Sequence, residues 1–418
     1  MKKKPAAGVK KKRATEPSAQ VTSSKQVLKH ILKVTGGTQP QVRSLRGRRS
    51  GGPVLLGTDF SGLDMMADAM EEMAQNSVGD LKVKHVFACD NEVNVQKYLT
   101  MWSRADIIYG DILLRNAKDM LYSDVYTAGA PCQGWSQLNK NASWKDARSQ
   151  LMFHSLKYVK EARPAVAILE QVASLKTRHA HMFMAIVKFL EMLGYRVHAE
   201  VVNTSDHFLP QRRRRLYMVA IQKELEDANA SFHFPTAFDC VPSAKKFLDK
   251  PSDKVDGVPG SLPSRSVSGG QARARVIEGY KKAKAQGYDP AVDLTVVDQG
   301  ASKKFGCWAA HVLPTITRTQ AMNKRLWCSL RGRAFTLTEL ARYQGLDGNT
   351  CLEKCYKAGL KERSIGGMIG NTMSKNVLQR ILGNALPAAG LLKNKPIDMW
   401  EKEMRLAKCR CQVLGGRA

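Results

Sequence analysis

The sequence predicts an α/β protein: a doubly wound, mostly parallel sheet with helices on both faces, joined to a smaller irregular domain. Three observations predict it. Short apolar runs alternate with helical patterns from Val54 to Ile221. Acidic residues close successive runs, at Asp90, Asp111 and Glu170. The alternation then breaks down over residues 225–312, which are rich in Pro, Gly, Ser and Lys. Strand–helix alternation gives a parallel sheet through right-handed crossovers, and such sheets bind ligands at the carboxyl ends of their strands.

The elements follow in order. Val54–Phe60 reads as a buried strand ending at a glycine turn, and Leu63–Met73 as a helix with one apolar face. Val83–Asp90 is a second strand, and a helix follows near Val93–Trp102. Asp106–Ile112, Asp124–Ala128 and Val166–Leu169 are further strands, with helices near Leu151–Glu161 and Met182–Leu193. Val197–Val202 and Leu216–Ile221 form a final pair. After the irregular stretch the pattern resumes at Val312–Thr317. Thr336–Gln344 is a helix opened by a capping box with Glu339, and Asn376–Leu382 is another. The expected units are a basic, largely disordered tail at 1–50, a catalytic and cofactor-binding domain at 51–224, a recognition domain at 225–330, a return segment at 331–390 and a basic tail at 391–418.

Composition excludes several classes. With 43% hydrophobic residues in 418, the chain can bury a core and is not wholly disordered. It has no apolar run long enough for a membrane span, and its basic start lacks the apolar stretch of a secretory signal. Nine scattered cysteines without a CxxC pair disfavour a disulfide scaffold or zinc ribbon and fit a reducing compartment. The net charge is +29; residues 1–50 supply +13 of it, leaving +16 on the rest. A polyanion is the natural partner, and nucleic acid is favoured over a membrane surface. The lysine clusters at 2–4 and 10–13 read either as a nuclear import signal or as a duplex-binding arm, which places the protein in the nucleus as an expectation.

Gly57-Thr-Asp-Phe-Ser-Gly-Leu-Asp64 follows the first strand and opens a helix, so its backbone can approach a ligand. Asp90 stands where a doubly wound fold places a carboxylate for ribose hydroxyls, and Asp111 could accept from an exocyclic amine. Each acid alone is more ordinarily a cap or turn residue; in register at successive strand ends they point to a nucleoside. The chain lacks GxGxxG, which disfavours a dinucleotide and fits S-adenosylmethionine better. Thr127-Ala-Gly-Ala-Pro-Cys-Gln-Gly-Trp-Ser136 would hold Cys132 at the sheet edge, where a thiolate can add reversibly to an electrophilic ring. Glu170 ends an otherwise apolar strand, a setting in which a carboxylic acid can donate a proton near neutral pH. Four arginines, 212–215, precede the last strand as candidate grips for a phosphate or a base.

Taken in order, these segments resemble the cytosine carbon-5 DNA methyltransferases. The matching segments are Phe-Ser-Gly-Leu at 60–63, Asp90, Gly-Asp at 110–111, Pro-Cys-Gln at 131–133, Glu-Gln-Val at 170–172 and Gln-Arg-Arg-Arg-Arg-Leu-Tyr at 211–217. Later come Pro-Thr-Ile-Thr at 314–317, the run 333–345 and Ile-Gly-Asn-Thr at 369–372. The resemblance implies a Rossmann-like methyltransferase fold and S-adenosylmethionine as cofactor. It also implies a double-stranded DNA substrate whose target cytosine is flipped out. Cys132 would attack carbon 6 and Glu170 would serve ring nitrogen 3. Arg215 would contact the cytosine, and Arg213 would steady the catalytic loop. Phe60, Gly62, Asp90, Asp111 and Asn371 would line the cofactor pocket, with Pro131 and Leu151 against the methionine end. The region 225–312, with Thr315-Ile316 at its exit, would recognise the target. Two other readings stay open: the same chemistry on transfer RNA, and a module that binds DNA or chromatin without turnover. The chain departs from the family at Asp64 and Met65, where glycines are usual, and this predicts a crowded cofactor loop. Gln171 replaces the usual Asn, which predicts a looser loop around Glu170. Asp90 is shorter than the common Glu, and Asn91 stands where an aromatic often does.

Overall fold

The structure is a computed structural model that describes residues 23–39, 52–76, 81–115, 121–131, 147–226, 231–264, 270–301 and 308–406. Its centre is a seven-stranded sheet of β1 (Val54–Asp59), β2 (Val83–Cys89), β3 (Ile107–Tyr109), β4 (Val125–Ala128), β5 (Val166–Val172), β6 (Tyr195–Asn203) and β8 (Arg214–Gln222). The order is β3-β2-β1-β4-β5-β8-β6; β7 (Gln211–Arg212) lies in a separate two-stranded ladder. The first five strands run parallel, and β8 enters antiparallel between β5 and β6. The chain steps outward from β1 to β3, then crosses to β4 on the other side of β1. The strands therefore part at β1/β4, where such sheets open a ligand crevice. In the middle of β1, Gly57 faces the Phe87 ring: a β-carbon there would come within 2.3 Å of it, so only glycine allows the pairing.

Alternating side chains send the strands into two cores. On one face Val54, Leu56, Val125 and Val166 pack with α2 (Met65–Asn76) and α12 (Lys375–Ala388). On the other, Tyr126, Ala128, Ala167 and Leu169 pack with α1 (Ser24–Thr35), α4 (Ala147–Ala162) and α6 (Ala180–Met192). Two short helices, α3 (Val93–Trp102) and α5 (Ser174–Thr177), follow β2 and β5.

The region expected to be irregular is more ordered than its sequence predicts. It contains α7 (Gly270–Ala285), β9 (Thr295–Asp298) and β10 (Trp308–Ala310), which join β12 (Leu326–Cys328) and β13 (Arg333–Ala334) in an antiparallel sheet ordered β10-β9-β12-β13. These strands are two to four residues long, too short for a period of two to register. β11 (Leu313–Pro314) pairs with β7. α8 (Arg318–Met322), α9 (Leu337–Arg342), α10 (Gly348–Lys357) and α11 (Glu362–Asn371) then lead back to α12. The capping box expected at the start of α9 is present: Glu339 N donates to Thr336 Oγ1 at 3.1 Å, and Thr336 N donates to Glu339 Oε2 at 2.9 Å.

Both expected tails contain docked helices. In α1, Val27 and Ile31 are fully buried while Lys25, Lys29 and Lys33 face outward. Ser23 and Gln26 form a capping box at its start, and Gly36 closes it in a left-handed conformation with φ 72°. α13 (Met399–Leu406) packs through Trp400, whose indole N–H donates to Gln379 Oε1 at 2.7 Å. In the sequence the apolar patch Val27, Leu28, Ile31, Leu32 and Val34 shows helical spacing but is outweighed by the surrounding charge; four or five apolar residues per helix are enough to dock it. Among the described residues, no helix is long and apolar enough to cross a membrane.

Candidate active site

The loop after β1 turns through left-handed backbone at Phe60 and Gly62, φ 57° and 55°. Gly62 N donates to Asp90 Oδ2 at 3.1 Å and Glu92 N to Asp90 Oδ1 at 3.0 Å, which ties the ends of β1 and β2 together. Burial pushes the Asp90 carboxyl above its ordinary value, against the pull of those two backbone N–H groups. Asp111, past the end of β3, accepts from Leu113 N at 2.9 Å. A β-carbon at Gly62 or Gly110 would meet no atom within 4 Å, so open space lies against the backbone at both turns. Two carboxylates beside that space suit a nucleoside with hydroxyls and an amine, and the residues present fit S-adenosylmethionine.

The crowding expected from Asp64 and Met65 is not found. Asp64, also left-handed at φ 57°, turns its carboxylate inward. There Ser103 Oγ donates at 2.9 Å, Thr58 Oγ1 at 3.4 Å, and His85 Nδ1 lies 3.5 Å away. Met65 is in the core. Neither side chain enters the cradle, and the added negative charge is spent inside the protein. Burial raises the Asp64 carboxyl, and His85 opposes the rise.

Sequence reasoning missed the anchor of the Asp111 loop. Arg115 reaches under the sheet edge to Asp59, Nη1 to Oδ1 at 2.7 Å and Nη2 to Oδ2 at 2.9 Å, both side chains essentially inaccessible. Tyr126 OH donates to the same carboxylate at 2.6 Å, and the guanidinium lies 5.2–5.6 Å from the rings of Phe87, Tyr109 and Tyr158. A forked cation in an aromatic box is a fixed peg. A single Arg after a turn carries no sequence signal for this.

On the reactive side, β4 runs out through Gly129, Ala130 and Pro131. Cys132 lies outside the described residues. Glu170, on β5, is 8% exposed. Its Oε1 lies 3.1 Å from Arg215 Nε but has no aligned donor among the described residues. Its Oε2 is 3.9 Å from where a β-carbon on Gly129 would stand, so the carboxyl faces the loop that leads to Cys132. The pairing follows from register: Val172 opposes Arg215, so Glu170 and Arg215 are diagonal neighbours on one face of the sheet. Gln171 does not loosen this loop. It is fully buried, and its amide N–H donates to Ala130 O at 2.8 Å.

The run of arginines sorts by alternation. Arg212 and Arg214 are exposed, Arg215 is half-buried at Glu170, and Arg213 is buried. Arg213 donates to Ile316 O at 3.0 Å, Gly370 O at 3.4 Å and Thr372 O at 2.8 Å. Through these bonds it clamps the returning chain to the sheet; the catalytic loop that the sequence assigns it to steady lies outside the described residues. Thr315 Oγ1 donates to Arg212 O at 2.7 Å, on the same seam. Pro131 and Leu151 are half-buried near this end of the sheet. Asn371 is exposed at the end of α11; among the described residues no hydrogen bond joins it to the Gly62–Asp90 loop.

The C-5 cytosine-specific DNA methylase family model matches residues 60–386, and the chain belongs to that family. It is 34% identical over 157 residues to the Type II methyltransferase M1.ScrFI of Lactococcus lactis subsp. cremoris, which is 37% of this chain and 40% of that one. It is 33% identical over 140 residues to M.HhaI of Haemophilus parahaemolyticus, covering 33% of this chain and 42% of the relative. The matched stretch thus spans about two fifths of those relatives' length. Among solved structures, the Entamoeba histolytica methyltransferase EhMeth superposes with a TM-score of 0.54 at 15% identity, over 80% of this chain and 98% of that one, a likeness of fold.

Proposed function

We propose that this protein methylates carbon 5 of cytosine in duplex DNA, with the target base turned out of the helix and S-adenosylmethionine as cofactor. The observation that carries this reading is the Glu170–Arg215 pair, 3.1 Å apart and facing Gly129, three residues before Cys132. S-adenosylmethionine, when bound, supplies a methyl group on a positively charged sulfur. Asp90 and Asp111, beside the open turns at Gly62 and Gly110, would accept hydrogen bonds from its nucleoside.

The Cys132 thiolate adds to carbon 6 of cytosine while Glu170 places a proton at, or shares one with, ring nitrogen 3. The electrons released into the ring make carbon 5 nucleophilic enough to take the methyl. Loss of the carbon-5 proton restores the double bond, and the carbon–sulfur bond breaks to return the thiolate. Arg215 holds the Glu170 carboxyl toward the base and offers a donor to the cytosine. A stacked base opens neither face to a thiol, so flipping is required.

The test is a duplex carrying 5-fluorocytosine, where fluorine cannot leave as a proton. Wild type is expected to give a denaturation-resistant protein–DNA band that Cys132→Ala does not give. The same band from both, or from neither, overturns the mechanism. Labelled methyl transfer with DNA and tRNA side by side checks the substrate, and label on tRNA alone overturns the DNA reading.

A further inference from the structure

We propose that α1 and the segment 173–187 form a second contact surface for the phosphate backbone of duplex DNA, outside the catalytic cleft. The proposal rests on the DNA reading above.

Helix orientation is the first support. α4 ends at Ala162, two residues before Pro164 leads into the start of β5, so its last turn lies at the amino edge of the sheet and its first turn at the carboxyl edge. Thr35 O, at the end of α1, accepts from Lys160 Nζ at 2.7 Å near the end of α4. His30 Nε2 and Gln150 Oε1 share a hydrogen bond of 2.7 Å near its beginning. α1 therefore runs alongside α4 with its N-terminus toward the carboxyl edge. From His30 to Ser24 is about 9 Å of helix, against about 5 Å from Gln150 to the start of α4. The first turn of α1 overhangs the edge that carries Glu170 and Arg215.

Charge is the second. Lys25, Lys29 and Lys33 are exposed at four-residue spacing, a single stripe opposite the buried Val27 and Ile31. α1 packs against α6, and α5, just past the carboxyl end of β5, adds exposed Lys176 and Arg178. Residues 23–39 and 173–187 contain no Asp or Glu. A merely solvated face intersperses both signs; a single-sign face beside a nucleic-acid site is an electrostatic footprint.

The experiment compares wild type with the triple variant K25Q/K29Q/K33Q, which keeps good helix formers. Affinity is measured against salt on a duplex of about 40 base pairs, and methyl transfer on that duplex and on one of about 12. The triple variant should unfold at the wild-type temperature. The slope of log K against log salt should become shallower by about 2 to 3, at roughly 0.9 per lost phosphate contact. KM on the long duplex should rise several-fold, with kcat on the short one unchanged. An unchanged slope in the triple variant, or equal losses on the two lengths, overturns the proposal; so does a loss confined to tRNA, which would make RNA the partner. If wild type methylates neither duplex, the DNA-methylation reading fails separately, because the salt slope still reads the surface.

Discussion

Arg213 and Arg215 stand two residues apart and do different work. Arg215 touches Glu170 at the carboxyl end of β5, while Arg213 is buried against three backbone carbonyls. Arg215→Ala is expected to lower kcat by about 100-fold, the scale of losing one donor in an organised site. Its effect on DNA affinity should stay within about 3-fold, because phosphate contacts dominate binding. Equal losses in a filter-binding and a methyl-transfer assay would remove it from the base site. The Asp59–Arg115 peg gives a stability prediction. Arg115→Met strands a buried carboxylate and should cost about 3 to 5 kcal/mol in urea unfolding, with D59N/R115M recovering part of the loss. At this scale residue type and strand position were legible and orientation was not. Glu170 was legible as an acid on an apolar strand. The inward turn of Asp64 was not, because it depends on a left-handed φ that no neighbouring residue announces.

Elements were legible where they were long. β1, β2 and α3 lie within a residue or two of their expected limits, whereas β9, β10, β12 and β13 gave too few residues to show alternation. The joint between α12 and the turn after β6 was also out of reach, since its partners lie about 170 positions apart. In that joint, Asn376 Nδ2 donates to His207 O at 2.6 Å and Arg380 donates to His207 Nδ1. Burial first, then the Arg380 charge, pushes the His207 imidazole down from 6.5 to about 4. Between those values the unfolded chain holds the proton and the native protein does not, so stability rises with pH through this window and is lost on acidification. The loss by about pH 4 is on the order of 3 kcal/mol. Urea unfolding at pH 7 and pH 4.5 should show a smaller difference in His207→Gln than in wild type; an equal difference would mean that this imidazole does not set the acid limit.

At the scale of the molecule, the expected return of the chain is present and more intimate than motif order suggests. Val377, Leu378, Ile381, Leu382, Ala385 and Leu386 of α12 complete the core that β1 and α2 begin. Gln379 Nε2 donates to Ala69 O at 3.2 Å, and Met373 lies 3.8 Å from the β-carbon position of Gly129. A chain ending at Thr372 should therefore express insolubly or show no cooperative unfolding transition by circular dichroism; a cooperative transition would mean the first lobe closes without α12.

The interleaving has a consequence for biosynthesis. Segments emerge from the ribosome in order, and early domains ordinarily fold while later ones are still being made. Here the face of β1 and α2 stays bare until the codons for residues near 386 have been translated and that stretch has cleared the exit tunnel. The nascent polypeptide must carry its half-built sheet, sticky and without a finished site, for nearly the whole of its synthesis. Chaperone capture during translation follows from where the last core helix is encoded.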